Sequence, residues 1–391
     1  MTIALSSSLD LFATTVLDRL DAQSLRRTVT ETTPQDAVLV HRNGKELVSF
    51  SSNDYLGLAH DSRLKKAAID AIHTYGTGSG ASRLVVGNHP LFEELERKLA
   101  ELKGTEAAVV VGSGYLANTG IIPTLVGPND VILMDEYVHA CIHAGAHLAR
   151  SKVITFRHND TEDLYALLEI NRPQHRHALI ITDGVFSMDG DIAPISALHA
   201  LATAYDAWLM TDDAHGVGVL GSNGAGSSHT ETPSIPVDLQ MGTLSKALGG
   251  YGGYLCASQP VIDLILTRCR PFIYSTGLPP AAVASAIEAL RIIEEDTELC
   301  ARPVNNARLF TSLLNLPEAQ SPIVPVIIGD TEKTLKIARH LESLGFLVVP
   351  IRPPTVPAGT ARLRVTFSAQ HTKDQIRTLA SLIRPFVGRG A

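Results

Sequence analysis

Ala107-Ala108-Val109-Val110-Val111-Gly112-Ser113-Gly114-Tyr115 is the stretch that decides the architecture. Five apolar residues run without alternation, a glycine-rich turn follows, and residues 116–125 are helix-compatible. An unbroken apolar run of this length reads as a strand covered on both faces. The same phrase recurs downstream. Residues 131–134, 153–156, 178–182 and 207–211 are strand candidates, and 138–149, 161–169 and 195–205 are helical stretches between them. Strands alternating with helices predict an α/β domain built on a mostly parallel sheet.

On the N-terminal side, residues from about 9 to 27 read as an amphipathic helix, with Leu9, Phe12, Val16, Leu17 and Leu20 near helical spacing. Val38-Leu39-Val40 and Leu47-Val48 flank a turn containing Asn43-Gly44, a strong hairpin signal. Ser51 to Gly57 is polar and turn-like, and helices are expected over 62–73 and 90–102. On the C-terminal side, from about residue 295, helical stretches alternate with short strands at 323–328, 347–349 and 362–367. That pattern predicts a smaller α+β domain. The expected division is an N-terminal helix and hairpin segment (1–50), a large domain (51–294) and a small C-terminal domain (295–391). No internal repeat or low-complexity linker interrupts it.

Composition narrows the function classes. The 391 residues are 45% hydrophobic and 19% charged, ordinary for a folded globular chain. With 33 basic against 40 acidic residues, formally −7, no basic surface for nucleic acid or membrane lipid is expected. No apolar run approaches bilayer-spanning length. Cys141, Cys256, Cys269 and Cys300 are scattered, which fits a reducing cytoplasm better than a disulfide or zinc framework. No Lys or Arg precedes Arg19, against a signal or transit peptide.

Ligands of parallel sheets bind beyond the carboxyl ends of the strands. Four such loops carry reactive side chains. Gly112-Ser113-Gly114-Tyr115 opens a helix, whose free N–H groups and dipole make an anion site; a simple tight turn is the bland alternative. Asp212 and His215, in Thr211-Asp212-Asp213-Ala214-His215-Gly216, follow a buried strand; a turn-capping carboxylate is the alternative there. Ser187, in Gly184-Val185-Phe186-Ser187-Met188-Asp189-Gly190, is either a donor to a ligand or ordinary turn chemistry. Lys246, in Met241-Gly242-Thr243-Leu244-Ser245-Lys246-Ala247, is a lysine among hydroxyls, glycines and apolar residues. Burial lowers an amine's pKa and makes it a nucleophile. A lysine for an aldehyde and an upstream acid for a pyridine nitrogen point to pyridoxal phosphate.

Two decoys fall away. Gly216-x-Gly218-x-x-Gly221 matches a dinucleotide fingerprint, but Ser222 to Ser227 offers no helix to receive a pyrophosphate. His139, His143 and His147 share one helical face, yet Ala140 stands where a metalloprotease glutamate belongs and no carboxylate ligand is obvious, so no metal is expected. His139, next to a strand end, is the one placed to stack on a planar ring. The glycine-dense stretch Gly76 to Arg83 either lines the site or turns the chain.

Taken together, these residues resemble the α-oxoamine synthases, a fold-type I group of pyridoxal phosphate enzymes. The match runs from Asn53-Asp54-Tyr55-Leu56-Gly57-Leu58 to the C-terminal helix. Asp212-Asp213-Ala214-His215-Gly216 and Thr243-Leu244-Ser245-Lys246 are group-wide motifs. Gly184 to Asp191 (GVFSMDGD) and Ile351-Arg352-Pro353-Pro354-Thr355, continuing to Arg364, are more specific and are similar to the branch that joins L-alanine to a pimeloyl thioester. The resemblance implies decarboxylative condensation of L-alanine with pimeloyl-CoA or a pimeloyl-acyl carrier protein. A relative using glycine and acetyl-CoA (glycine C-acetyltransferase) is the alternative within the group, and a non-catalytic scaffold the alternative outside it. The resemblance also implies roles. Lys246 holds the cofactor and moves the substrate's α-proton; Asp212 pairs with the ring nitrogen; His215 and Ser187 meet the phenolic oxygen; His139 stacks on the ring. Gly114, Tyr115 and Thr243 hold the phosphate, with Thr276 from a partner subunit. Asn53 and Arg364 hold the amino-acid carboxylate, and Arg26 and Thr355 meet the acyl donor. Members of the group are homodimers with sites at the subunit interface.

Overall fold

The computed structural model describes residues 7–23 and 25–387. At its centre lies a seven-stranded sheet. From edge to edge the strands are Ala107–Val111, Gly253–Ala257, Leu239–Thr243, Trp208–Asp212, Ala178–Asp183, Val131–Asp135 and Lys152–Phe156. Gly253–Ala257 runs antiparallel to both neighbours; every other pairing is parallel. The five strands read from sequence are all present. Leu239–Thr243 and Gly253–Ala257 complete the sheet.

Side-chain alternation explains why both faces are covered. Val109 and Val111 pack on one face with Ile121, Ile142 and Ile265; Ala108 and Val110 pack on the other with Phe92, Leu95 and Leu290. Helices Gly114–Leu125 and Ala140–Ala149 cover the first face, and Leu91–Lys103 and Pro280–Glu295 the second. A third cluster, around Leu133, Ile180 and Leu209, is closed by Leu164 and Leu198 from helices Thr161–Asn171 and Ile195–Ala204.

The C-terminal part is built on an antiparallel sheet in the order Ile323–Gly329, Ala361–Thr366, Val349–Ile351. Its core is formed by Phe310, Leu341, Leu363, Val365 and Ile376. The hairpin at Leu39–Arg42 and Lys45–Ser49 turns on Asn43 (φ 52°) and Gly44 (φ 75°), the two left-handed residues that a tight I′ turn requires. Its second strand pairs in parallel with Phe346–Leu347, and Phe50 packs in the C-terminal core. The hairpin thus forms a separate small sheet that Phe346–Leu347 completes, beside the C-terminal core.

Two local expectations differ from the structure. The single run expected at 347–349 is split: Phe346–Leu347 and Val349–Ile351 join different sheets on either side of buried Val348. The first helix spans Ser8–Ala22, stopping short of Arg27, and buries none of its residues; Leu9 is 71% and Phe12 66% exposed. Its amphipathic spacing is real, but among the described residues its apolar face is left largely uncovered.

The carboxyl edge of the sheet is tied by one charged clamp. His158 lies between Asp135 (Nδ1–Oδ1, 3.1 Å) and Asp191 (Nε2–Oδ2, 2.7 Å), stacked on Tyr137. Burial disfavours its charge, but the bonds and charges of the two carboxylates outweigh that and raise its pKa to about 10. A raised folded-state pKa gives stability that is complete below the unfolded value of about 6.5 and is lost as pH climbs through about 10. The thermal stability of the wild type is therefore expected to fall steadily from pH 7 to 10. In His158→Gln the starting stability is lower and that part of the slope disappears; an unchanged slope refutes the clamp.

Candidate active site

Lys246 sits just past strand Leu239–Thr243, with its Nζ 2.7 Å from His215 Nε2. His215 Nδ1 is in turn 2.6 Å from the hydroxyl of Tyr55, which is fully buried. Burial pulls the Lys246 ammonium down to about 8, although Asp212 and Asp183 pull the other way. A lysine at that value is a usable nucleophile near neutral pH. Burial, followed by the charges of Lys246 and Arg364, holds His215 well below the ordinary imidazole range, so it is neutral.

The loop after strand Trp208–Asp212 carries two adjacent acids with separate tasks. Asp212 lines the cavity; its Oδ1 accepts from Ala214 N–H (3.0 Å) and its Oδ2 from Asn118 Nδ2 (2.7 Å). Asp213 points away into the protein. It pairs with Lys103 Nζ (2.8 Å), and its carboxylate also accepts from Ser227 N–H. Neither side chain of the pair is more than 1% exposed. A Cβ added at Gly184, Gly216 or Gly226 would lie within 2.6 Å of the Asp213 carboxylate. Three backbone segments thus crowd around one anion, and that fixes the turn presenting Asp212 and His215.

The cavity, about 200 Å³, is bounded by the ends of five strands. Gly114 and Tyr115 line it at the start of helix Gly114–Leu125, whose N-cap, Ser113, accepts from Leu116 N–H (3.2 Å). A side chain at Gly114 would press on Met241 (3.1 Å) and Thr243 (3.5 Å), so glycine keeps this end open. Thr243 and Ser245 face the same end with their hydroxyls 2.8 Å apart. His139 caps helix Ala140–Ala149, and burial lowers its pKa. Ser187 also lines the cavity. The structure therefore gathers Gly114, Tyr115, His139, Ser187, Asp212, His215, Thr243 and Lys246 in one place.

The remaining predicted residues lie elsewhere. Asn53 Oδ1 accepts from Arg364 Nη1 (3.2 Å) and Tyr55 O–H (3.3 Å), behind the Lys246–His215 pair. Arg364 Nε also donates to the carbonyl of Ser187 (2.5 Å). Thr355 lines a second groove, of about 350 Å³, whose walls include Leu25 and Arg27 on either side of Arg26. Arg26 itself pairs with Asp21 (2.7 Å). Thr276 is not in the cavity of its own chain; it bridges to Ser82 in the glycine-dense stretch, where Ser79 Oγ also bonds the carbonyl of Leu278. Sequence reasoning missed Tyr55, Asn118, Cys141, Asp183 and Lys103. For Asp183, burial and the nearby Asp212 charge raise the carboxyl well above its ordinary range.

With this geometry in place, the comparisons define the class. Residues 45–383 match the aminotransferase class I and II family, and the chain belongs to it. A serine palmitoyltransferase solved with PLP superposes with a TM-score of 0.90 at 31% identity, covering 97% of this chain and 98% of that one. Within the family the chain groups with the 8-amino-7-oxononanoate synthases. The protein of that name from Beijerinckia indica subsp. indica is 58% identical over 97% of this chain and 98% of its own. The one from Francisella tularensis has been solved; it matches with a TM-score of 0.74 at 27% identity, over 87% of this chain and 97% of that one.

The cavity also fits pyridoxal phosphate by the chemistry of its donors. A helix N-terminus with two hydroxyls faces one end, a carboxylate anchored on both oxygens stands at another, and a half-buried amine lies in the field of two acids. The Lys103–Asp213 pair is what keeps the carboxylate turn in place. Lys103→Met leaves Asp213 buried without its partner and is expected to cost about 3–5 kcal/mol in chemical denaturation. A loss below ~1 kcal/mol means that the turn is held by something else.

Proposed function

We propose that this protein condenses L-alanine with a pimeloyl thioester, releasing CO2 and the free thiol carrier and giving 8-amino-7-oxononanoate for biotin synthesis. The observation that carries the reading is the half-buried Lys246 Nζ, 2.7 Å from a neutral His215 and within the field of Asp212. Pyridoxal phosphate, when bound, supplies an electron sink for the charge left on the alanine α-carbon.

The chain's own residues do the rest. Lys246 would hold the cofactor's aldehyde carbon and, once displaced by alanine, take the proton from Cα. With its pKa near 8, the amine can both accept and return a proton near neutrality. Asp212 would keep the ring nitrogen protonated. Its own oxygens are already braced by Ala214 and Asn118, so it presents a fixed anion. His215 and Ser187 would meet the phenolic oxygen, and His139 would cover one ring face. The N–H groups of Gly114 and Tyr115, with Thr243, would bind the phosphate. Asn53 and Arg364 would orient the alanine carboxylate, which fixes which Cα bond faces Lys246. Arg26 and Thr355 border the groove suited to the acyl donor.

The working form is a homodimer in which Thr276 of one subunit reaches the other's phosphate site. Support comes from apolar side chains that the single chain leaves uncovered: Val85 is 72% and Tyr274 72% exposed, beside the segment carrying Thr276. Among the described residues, no helix is long and apolar enough to cross a membrane; a cytoplasmic setting suits four buried, unpaired cysteines.

Purified protein given alanine or glycine with pimeloyl-CoA, pimeloyl-acyl carrier protein or acetyl-CoA tests the reading. Turnover is expected only with alanine and a pimeloyl carrier; turnover confined to glycine and acetyl-CoA overturns it in favour of the acetyltransferase alternative. Lys246→Ala is expected to abolish turnover and the borohydride-sensitive visible absorbance while leaving the circular dichroism of the fold unchanged. Asp212→Asn should slow deuterium exchange at the alanine α-carbon by at least ~100-fold, the scale for loss of a preorganised electrostatic contact. Exchange at the wild-type rate removes Asp212 from its role.

A further inference from the structure

Two buried polar side chains join the cavity's acid to its stacking imidazole. Asn118, on helix Gly114–Leu125, is fully buried, and Cys141 is 2% exposed among Ile121, Ile142 and Met241. Asn118 Nδ2 lies 2.7 Å from Asp212 Oδ2 and 3.1 Å from Cys141 Sγ. Cys141 Sγ lies 2.8 Å from His139 Nδ1, and the backbone nitrogen of Cys141 lies 3.3 Å from the same Nδ1.

The direction of each bond follows from what each atom is able to do. A backbone N–H only donates, so His139 Nδ1 presents a lone pair. The thiol facing that lone pair must then donate its S–H. Its sulfur is left as the acceptor for the Asn118 amide, and the Asp212 carboxylate accepts the amide's other N–H. Reversing the Asn118 amide would set its oxygen against the carboxylate, so Asp212 fixes that orientation too. The arrangement leaves Asn118 Oδ1 buried with no hydrogen-bond partner among the described residues. A buried acceptor without a partner is costly, and an apolar residue of similar size would fill the space without that cost. What this position supplies is therefore the two donors of the amide.

We propose that Asn118 and Cys141 are positioning residues: a directed chain from Asn118 to Asp212, and from Asn118 through Cys141 to His139, fixes the carboxylate and holds His139 as the Nε2–H tautomer. Two ends of the cofactor site are thereby set by one amide. Burial, with Asp212 close by, pushes the Cys141 thiol up to about 12, so it remains an S–H donor throughout the working range. Desolvation lowers the His139 pKa, the direction that favours the neutral ring which the Cys141 N–H already requires. The chain is unavailable to metal or oxidant chemistry in this form, because the sulfur is protonated and enclosed.

The inference rests on reading this cavity as the pyridoxal phosphate site, and the test separates the two. Protein labelled with 15N-histidine is prepared without cofactor, and the His139 signals are assigned by their loss in His139→Gln. Wild type is expected to show an unprotonated Nδ1 and a protonated Nε2. Asn118→Ala, which removes a residue that does not touch His139, should still shift the His139 Nδ1 signal. It should also weaken pyridoxal phosphate binding by about tenfold in equilibrium dialysis, the scale of a hydrogen bond to a charged group. Cys141→Ala should weaken binding less, Cys141→Ser should restore both readouts, and the Asn118→Ala/Cys141→Ala double variant should be no worse than Asn118→Ala alone. His139 signals that are unchanged in Asn118→Ala, or additive losses of affinity, overturn the chain. If Asn118→Ala does not fold, the contrast between Cys141→Ala and Cys141→Ser decides: equal behaviour overturns the chain. A wild type that fails to bind pyridoxal phosphate overturns the cofactor reading instead, leaving the tautomer result to stand by itself.

Discussion

The register of the parallel strands at their carboxyl ends is the constraint from which the site follows. Asp183 pairs with Asp212, and Asp212 with Met241, two residues before Thr243. Val131 to Met134 pair in the same phase with Ala178 to Ile181, which brings the His139 turn alongside. A one-residue slip would reverse the face of every side chain on that strand. It would turn Asp212 away from the cavity and bring Asp213 to it in its place. Both faces being apolar, it is the fit of particular side chains against the helices on each face that opposes such a slip, so the chemistry inherits its geometry from core packing.

That geometry concentrates charges where water is scarce. Lys246, Asp183, Asp212, His139 and His215 occupy one small cavity, with Arg364 behind it. Burial penalises every ionised group there, and the acids and bases offset one another unequally. Lys246 is drawn down only part of the way because two carboxylates oppose its loss of charge. His215 has cations for neighbours and is left neutral. Pairs of groups driven apart in this way mark acid–base assignments. The adjacent acids show the division of labour: Asp213 is spent on Lys103 and the backbone, which frees Asp212 to face the ligand.

Much of this is legible in the amino-acid sequence. Unbroken apolar runs ended by glycine, serine and aspartate gave the parallel sheet, its helices and the loops to inspect. Eight predicted residues meet in one cavity: Gly114, Tyr115, His139, Ser187, Asp212 and His215 each follow a strand that the pattern identified, while Thr243 ends and Lys246 follows Leu239–Thr243, which it did not. What escaped was long-range. Tyr55 meets His215 across 160 positions, Lys103 meets Asp213 across 110, and Asn118 meets Asp212 across 94. Local pattern carries no information on such pairs, and a lysine in the last turn of helix Leu91–Lys103 reads as an ordinary solvated cap. The antiparallel strand Gly253–Ala257 was invisible for a related reason: an apolar run states that it is buried, not which way it points. The first helix shows the converse limit, since its spacing announces an apolar face but not what covers it.

The small sheet also does more than close the molecule. Arg362 and Arg364 stand two apart on strand Ala361–Thr366 and therefore point to the same face. Arg362 pairs with Asp189 and reaches the carbonyl of Met188, while Arg364 bonds the carbonyl of Ser187 and the side chain of Asn53. From the other side, Asp191 is held by His158 and Asn159. The loop carrying Ser187 is thus gripped at consecutive residues by a strand nearly 180 positions away and by the sheet edge beneath it. Both halves of the chain must be in place before that hydroxyl is aimed. A displacement of the small sheet would move Arg364 and the Ser187 loop together, so the aim of the Ser187 hydroxyl depends on how the small sheet is seated.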